Sequence, residues 1–159
     1  MIKIIYKICL IFLLVIIQVV LMPIFDIRGV FPNILLVGLV ILTLLDFQED
    51  SLILAGVGGL IYDFYSPMIF GLNTFYFFII IFLINFLAKR FFPSINIFVV
   101  ILIVFLINLI YGLLIGLIEN SFFGWNLIIE SVYAVFIAII FYLITLSLYK
   151  PNQIIKVAR

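Results

Sequence analysis

Two carboxylates and four amides stand inside otherwise apolar runs of this chain: Asp63 and Glu130, with Gln18, Asn73, Asn85 and Asn108. A pair of acids can do acid/base work when one is held protonated and the other ionised. Such chemistry also needs a nucleophile, a metal set or a phosphate-binding loop beside the pair, and the sequence places none there. It has no histidine, the commonest general base and metal ligand. No catalytic, cofactor-binding or metal-binding residue is therefore assigned. The other use of such groups is to bond neighbouring helices, because a polar group in an apolar interior is costly unless it is paired.

The spacing of small residues indicates where helices could meet. Gly56, Gly59 and Asp63 are three and four apart and share one helical face, with Asn73 at the start of the next run. That face is nearly bare until the carboxylate, so a helix can approach it closely, either from this chain or from a partner. Asn108, Gly112 and Gly116 form a second face, and Glu130, Ala134 and Ala138 a third. A short loop joins the two runs that carry them, which predicts mutual packing. In the expected register Gly112 lies near Ala134 or Ala138, and Gly116 near Glu130 and Ala134.

The elements that carry these residues follow from composition. With 69% hydrophobic and 9% charged residues, and a mean hydropathy of +1.58, the chain cannot cover itself with polar groups, which excludes a water-soluble fold. The runs are apolar on every side, without the alternation of a membrane β-barrel. The expected fold is an all-α integral membrane protein in one domain, 1–159. Its six transmembrane helices are expected at about 4–22, 32–45, 51–65, 72–88, 95–118 and 127–149. Pro23, the acidic hairpin of Asp46, Glu49 and Asp50, Ser66-Pro67, Pro93, Glu119 to Asn126 and Pro151 mark the joints. Pro32 suits the first turn of the second helix.

Orientation comes from the basic residues. Lys3 and Lys7 precede the first run, Lys89 and Arg90 stand at the middle, and Lys150, Lys156 and Arg159 follow the last; only Arg28 lies elsewhere. Basic loops are retained inside, which predicts six crossings with both termini cytoplasmic. Taking 33–62 as one crossing would bury three acids at mid-membrane, each at a cost of a few kcal/mol. No small-x-small cleavage pattern follows the first run, so a retained helix is expected there rather than a signal peptide. The net charge of +1 gives no reason to expect nucleic acid, and the single Cys9 excludes an intrachain disulfide.

The order of short motifs resembles the rod shape-determining protein MreD family. Pro23, Gly29, Pro32 and Asn33 come first. Gly56-Val57-Gly58-Gly59-Leu60-Ile61-Tyr62-Asp63 follows as a glycine-rich third helix ending in an acid. Gly71-Leu72-Asn73-Thr74 then opens the next helix. The resemblance implies a non-enzymatic scaffold in the bacterial cytoplasmic membrane, without cofactors. Its implied partners are MreC and, directly or indirectly, the actin-like MreB and the peptidoglycan synthases of the lateral wall. The rival of similar size and layout is the substrate-binding S component of vitamin transporters. That family shows Ala-x-x-x-Ala on the first helix, whereas this chain has no Ala, Gly or Ser between Ile2 and Ile27.

Overall fold

The computed structural model describes residues 9, 11–26, 30–66, 69–91, 95–119 and 124–148. Lys3, Lys7, Arg28, Gly29, Lys150, Lys156 and Arg159 lie outside them, as do Pro67, Pro93, Pro151 and Asn120. Among the described residues the chain holds six helices and no strand. They are α1 (Ile11–Phe25), α2 (Ile34–Leu44), α3 (residues 48–65), α4 (Leu72–Phe91), α5 (Ile97–Glu119) and α6 (Gly124–Leu148).

Several boundaries differ from the sequence expectation for local reasons. α1 does not stop before Pro23. It widens into a π-turn at Ile17–Leu21 and tightens into a 3-10 turn at Met22–Phe25. Pro23 falls at the start of that tight turn, where a missing N–H costs little. α2 starts after Pro32, not on it, because Asn33 is its cap and accepts from Leu36 N–H at 3.0 Å. α3 starts at Gln48, which draws Glu49 and Asp50 out of the hairpin into its first turn. Acids are favoured at that end by the helix dipole.

The α2–α3 joint is correspondingly tight. Asp46 adopts a φ of 63°, and two bonds close the end of α2, from Phe47 N–H to Leu42 O and from Asp46 N–H to Thr43 O. This is the left-handed termination usually made by glycine, and a short polar side chain tolerates it. Gln48 Nε2 donates across to Asp46 Oδ1 at 3.1 Å.

α2 sits at the centre. It packs against α3, α4, α5 and α6, and Leu35, Leu36, Val37, Leu39, Val40 and Ile41 have no exposed surface. A helix that is apolar all round can be placed only where neighbours surround it. Its 11 residues make it about 16 Å long. α5 and α6 form the most extensive helix pair. Among the described residues they are the two helices long and apolar enough to cross a membrane, over Ile97–Ile118 and Gly124–Thr145. Ile11–Phe25, Ile34–Leu44 and Leu72–Leu87 are shorter apolar helices.

The outer surface is as apolar as the core. Phe82, Phe98 and Phe136 are 76%, 77% and 65% exposed, and they stand among many other exposed aliphatic and aromatic side chains. In water such a surface would be an aggregation liability, whereas in lipid it is the expected exterior.

Candidate functional site

Two of the buried polar residues, Asp63 and Asn73, meet where the end of α3 faces the start of α4. Gly71 opens that start with a φ of +90°, a conformation that suits glycine. Glycine cannot cap a helix with its own side chain, and the preceding helix supplies the acceptor instead. Asp63 Oδ1 accepts from Asn73 N–H at 3.0 Å and from Asn73 Nδ2 at 2.9 Å. Its Oδ2 accepts from Thr74 N–H at 3.1 Å and from Thr74 Oγ1 at 2.6 Å. Four donors match the capacity of a carboxylate, and the negative charge lies on the positive end of α4.

The network continues into α5. Tyr111 O–H donates to Asn73 Oδ1 at 2.6 Å, so one amide is bonded to both Asp63 and Tyr111. The Tyr111 ring meets Tyr76 edge to face at 6.1 Å between centroids. Gln18 acts in the same way at the start of α2. From the π-turn of α1 its Oε1 accepts from Ile34 N–H at 2.6 Å, and its Nε2 donates to Pro32 O at 3.4 Å. Both amide groups of that side chain therefore serve a helix end that no water reaches. Gln18, Asn33, Asp63 and Asn73 are each less than 5% exposed.

The glycines of α3 explain how α4 comes so close. A Cβ at Gly59 would stand 2.9 Å from both Cα and Oγ1 of Thr74, a distance real side chains do not tolerate. At Gly56 the nearest atom would be Phe78 Cζ at an ordinary 3.7 Å. The face of Gly56, Gly59 and Asp63 is thus filled by α4 from within the chain.

The α5–α6 seam has a different character. A Cβ at Gly112 would meet Leu127 Cδ2 at 2.6 Å and Glu130 Oε2 at 3.8 Å. Gly112 therefore sits a turn or more nearer the loop than the expected Ala134 or Ala138. Ala134 and Ala138 are fully buried, and Gly116 is also buried. Asn108 Nδ2 donates back to Val104 O at 2.9 Å, while its Oδ1 has no partner among the described residues. Glu130 is half-buried. Its polar neighbours are Tyr62 and Tyr111, and no hydrogen bond or ion pair reaches it among the described residues. Asn85 lies far from this cluster and shares a 3.5 Å contact with Gln48 at the hairpin.

A family model described as rod shape-determining protein MreD matches residues 1–150. The chain belongs to the MreD family. Its members are shape-determining proteins of the bacterial inner membrane and are not generally enzymes. Comparison with curated proteins and with solved structures gives no match. In this MreD-family chain the Gly-Leu-Asn-Thr segment has a definite local role. Gly71 makes the turn, and Asn73 and Thr74 direct both backbone and side-chain donors onto Asp63. Thr74 and Tyr62 stand in the sequence only as members of the short motifs, with no role assigned to them, and Tyr111 was not marked. The one available signal was a row of hydroxyls one helical turn or less from polar residues already marked.

Proposed function

We propose that the chain crosses the cytoplasmic membrane six times, with both termini inside, as a non-enzymatic scaffold of the cell-elongation machinery. It would hold MreC and, directly or indirectly, MreB and the lateral peptidoglycan synthases in one assembly. Family membership supports the role in rod shape. The observation that carries the scaffold reading is the Asp63 carboxylate, whose four hydrogen bonds join α3 to α4. A carboxylate so completely bonded fixes geometry, as a framework protein requires.

The short central helix is compatible with this layout. Irregular backbone at membrane depth is tolerated where protein surrounds it. Pro32 and Asn33 before Ile34 are buried in protein, and Gln18 and Asn33 bond the Ile34 and Leu36 amides at the start of α2. The split of basic residues supports cytoplasmic termini.

Depletion in a rod-shaped bacterium tests the role directly. Rounded cells, and recovery of MreC with wall synthases when the chain is purified from native membranes, are the expected results. Cells that stay rod-shaped but require a vitamin, or co-purification with an ABC-type coupling module, would favour the transporter reading. Topology is checked separately after Cys9→Ser. Cysteines placed at Asp26 and Glu119 should react with an impermeant reagent from outside, and one at Glu49 should not.

A further inference from the structure

We propose that Glu130 is the acceptor for a cationic side chain, lysine or arginine, carried by the membrane helix of a partner protein. This rests on the scaffold reading and names the contact through which one partner is held. An ionisable group within a membrane helix is costly and marks function unless the fold employs it. The fold employs Gln18, Asp63 and Asn73 fully, whereas Glu130 receives no donor among the described residues. The nearby Tyr111 hydroxyl gives its proton to Asn73. A second unsatisfied acceptor, Asn108 Oδ1, lies on the same helix pair, one turn along α5 from Gly112.

The position suits a protein helix. Asn126, Glu130, Tyr133 and Ile137 recur at helical spacing along α6 and are all of intermediate exposure. They form a stripe that is neither core nor fully open to lipid. The more exposed side of α6 is the opposite one, with Ile128, Val132 and Phe136. Glu130 lies about 9 Å along α6 from Gly124, within the apolar span Gly124–Thr145. Seven of the eight basic residues fall in the three clusters assigned to the cytoplasmic side, and Glu130 takes part in no ion pair among the described residues, so charge complementarity favours a cation from another chain.

The test uses the full chain in cells that depend on it, with Glu130→Gln and Glu130→Lys. Both variants should reach the membrane at normal abundance. Recovery of the partner should fall about tenfold or more, with the lysine variant the weaker. Reversing a lysine or arginine in the partner's membrane helix to glutamate should restore recovery and rod shape with Glu130→Lys. Wild-type recovery with Glu130→Gln would overturn the proposal, as would rescue by Arg28→Glu, which would place the cation in this chain. A photocrosslinker at position 130 that captures only lipid would overturn it too. Should Glu130→Lys fail to insert, the nearly isosteric Glu130→Gln still decides. If depletion itself leaves rods intact, the scaffold reading falls. Rounding on depletion that Glu130→Gln rescues in full removes the pairing alone.

Discussion

Asp63 and Glu130 are the same chemistry placed in two different surroundings. Asp63 ends α3 against the start of α4, is 3% exposed and accepts four hydrogen bonds. Glu130 stands in the second turn of α6, half-buried, with two tyrosines for polar neighbours and no donor among the described residues. The two acids differ in burial, and they differ more sharply in the donors that the described fold supplies to each.

The largest effect is expected at Asp63. Asp63→Ala leaves two backbone amides of α4 and the Asn73 and Thr74 side chains without their acceptor. Each unsatisfied buried group costs about 1–3 kcal/mol, so several together approach the stability of a typical domain. The variant should be scarce in the membrane when measured by immunoblot, and should melt early in detergent. An Asp63→Ala protein of normal abundance that has lost its partners would break the comparison by making Asp63 an interface.

Next in size is the close approach that makes the Asp63 cap possible. Gly59→Ala sets a methyl group against the Thr74 backbone, and the helices must separate by some tenths of an ångström. Overpacking of this kind costs about 1–3 kcal/mol. Gly56→Ala meets only the end of a Phe78 ring at 3.7 Å and should be close to neutral. Thermal stability of the two purified variants gives the contrast. Equal losses would mean that the glycines serve helix α3 itself and not its contact with α4.

Much of this contrast could be read from the chain, and the remainder could not for physical reasons. Six apolar runs separated by proline or acidic joints were visible, because membrane helices need length and continuity. The start of α3 was missed because Glu49 and Asp50 look like loop residues, yet they suit a first turn as well as a hairpin. The bounds at Pro32 and Asp46 already limited α2 to a short helix, but nothing in an apolar run reveals that it is enclosed, since it is apolar on the faces that meet protein as it would be on faces that meet lipid. The proximity of Asp63 to Asn73 was legible from their short separation. The part played by Tyr111 was not, because its partner lies 38 positions away. Small-residue spacing identified the α5 and α6 faces but not how far they slide, and Leu127 fills the notch at Gly112.

A smaller loss is expected where the Asp63 network reaches α5. Tyr111→Phe deletes one hydroxyl and one hydrogen bond to Asn73 Oδ1, while the ring keeps its packing against Tyr76 and Phe77. The net value of a single hydrogen bond is about 0.5–1.5 kcal/mol, readable as a modest drop in melting temperature. A drop as large as that of Asp63→Ala would show that Tyr111 positions Asn73 and, through it, the cap itself.

The smallest effect on stability belongs to Glu130→Gln. The substitution keeps shape and volume, removes a charge that no donor in the described fold stabilises, and breaks no hydrogen bond. Its melting temperature in detergent should match that of the unaltered chain or rise slightly, because a neutral amide is less costly to bury than a carboxylate. Glu130→Ala sharpens the point: it removes side-chain atoms beside Gly112 and should cost about 1 kcal/mol or less through lost contact. If Glu130→Gln instead destabilises as strongly as Asp63→Ala, a donor reaches Glu130 within the isolated chain. The two acids would then be alike after all, and the difference drawn from their surroundings would be lost.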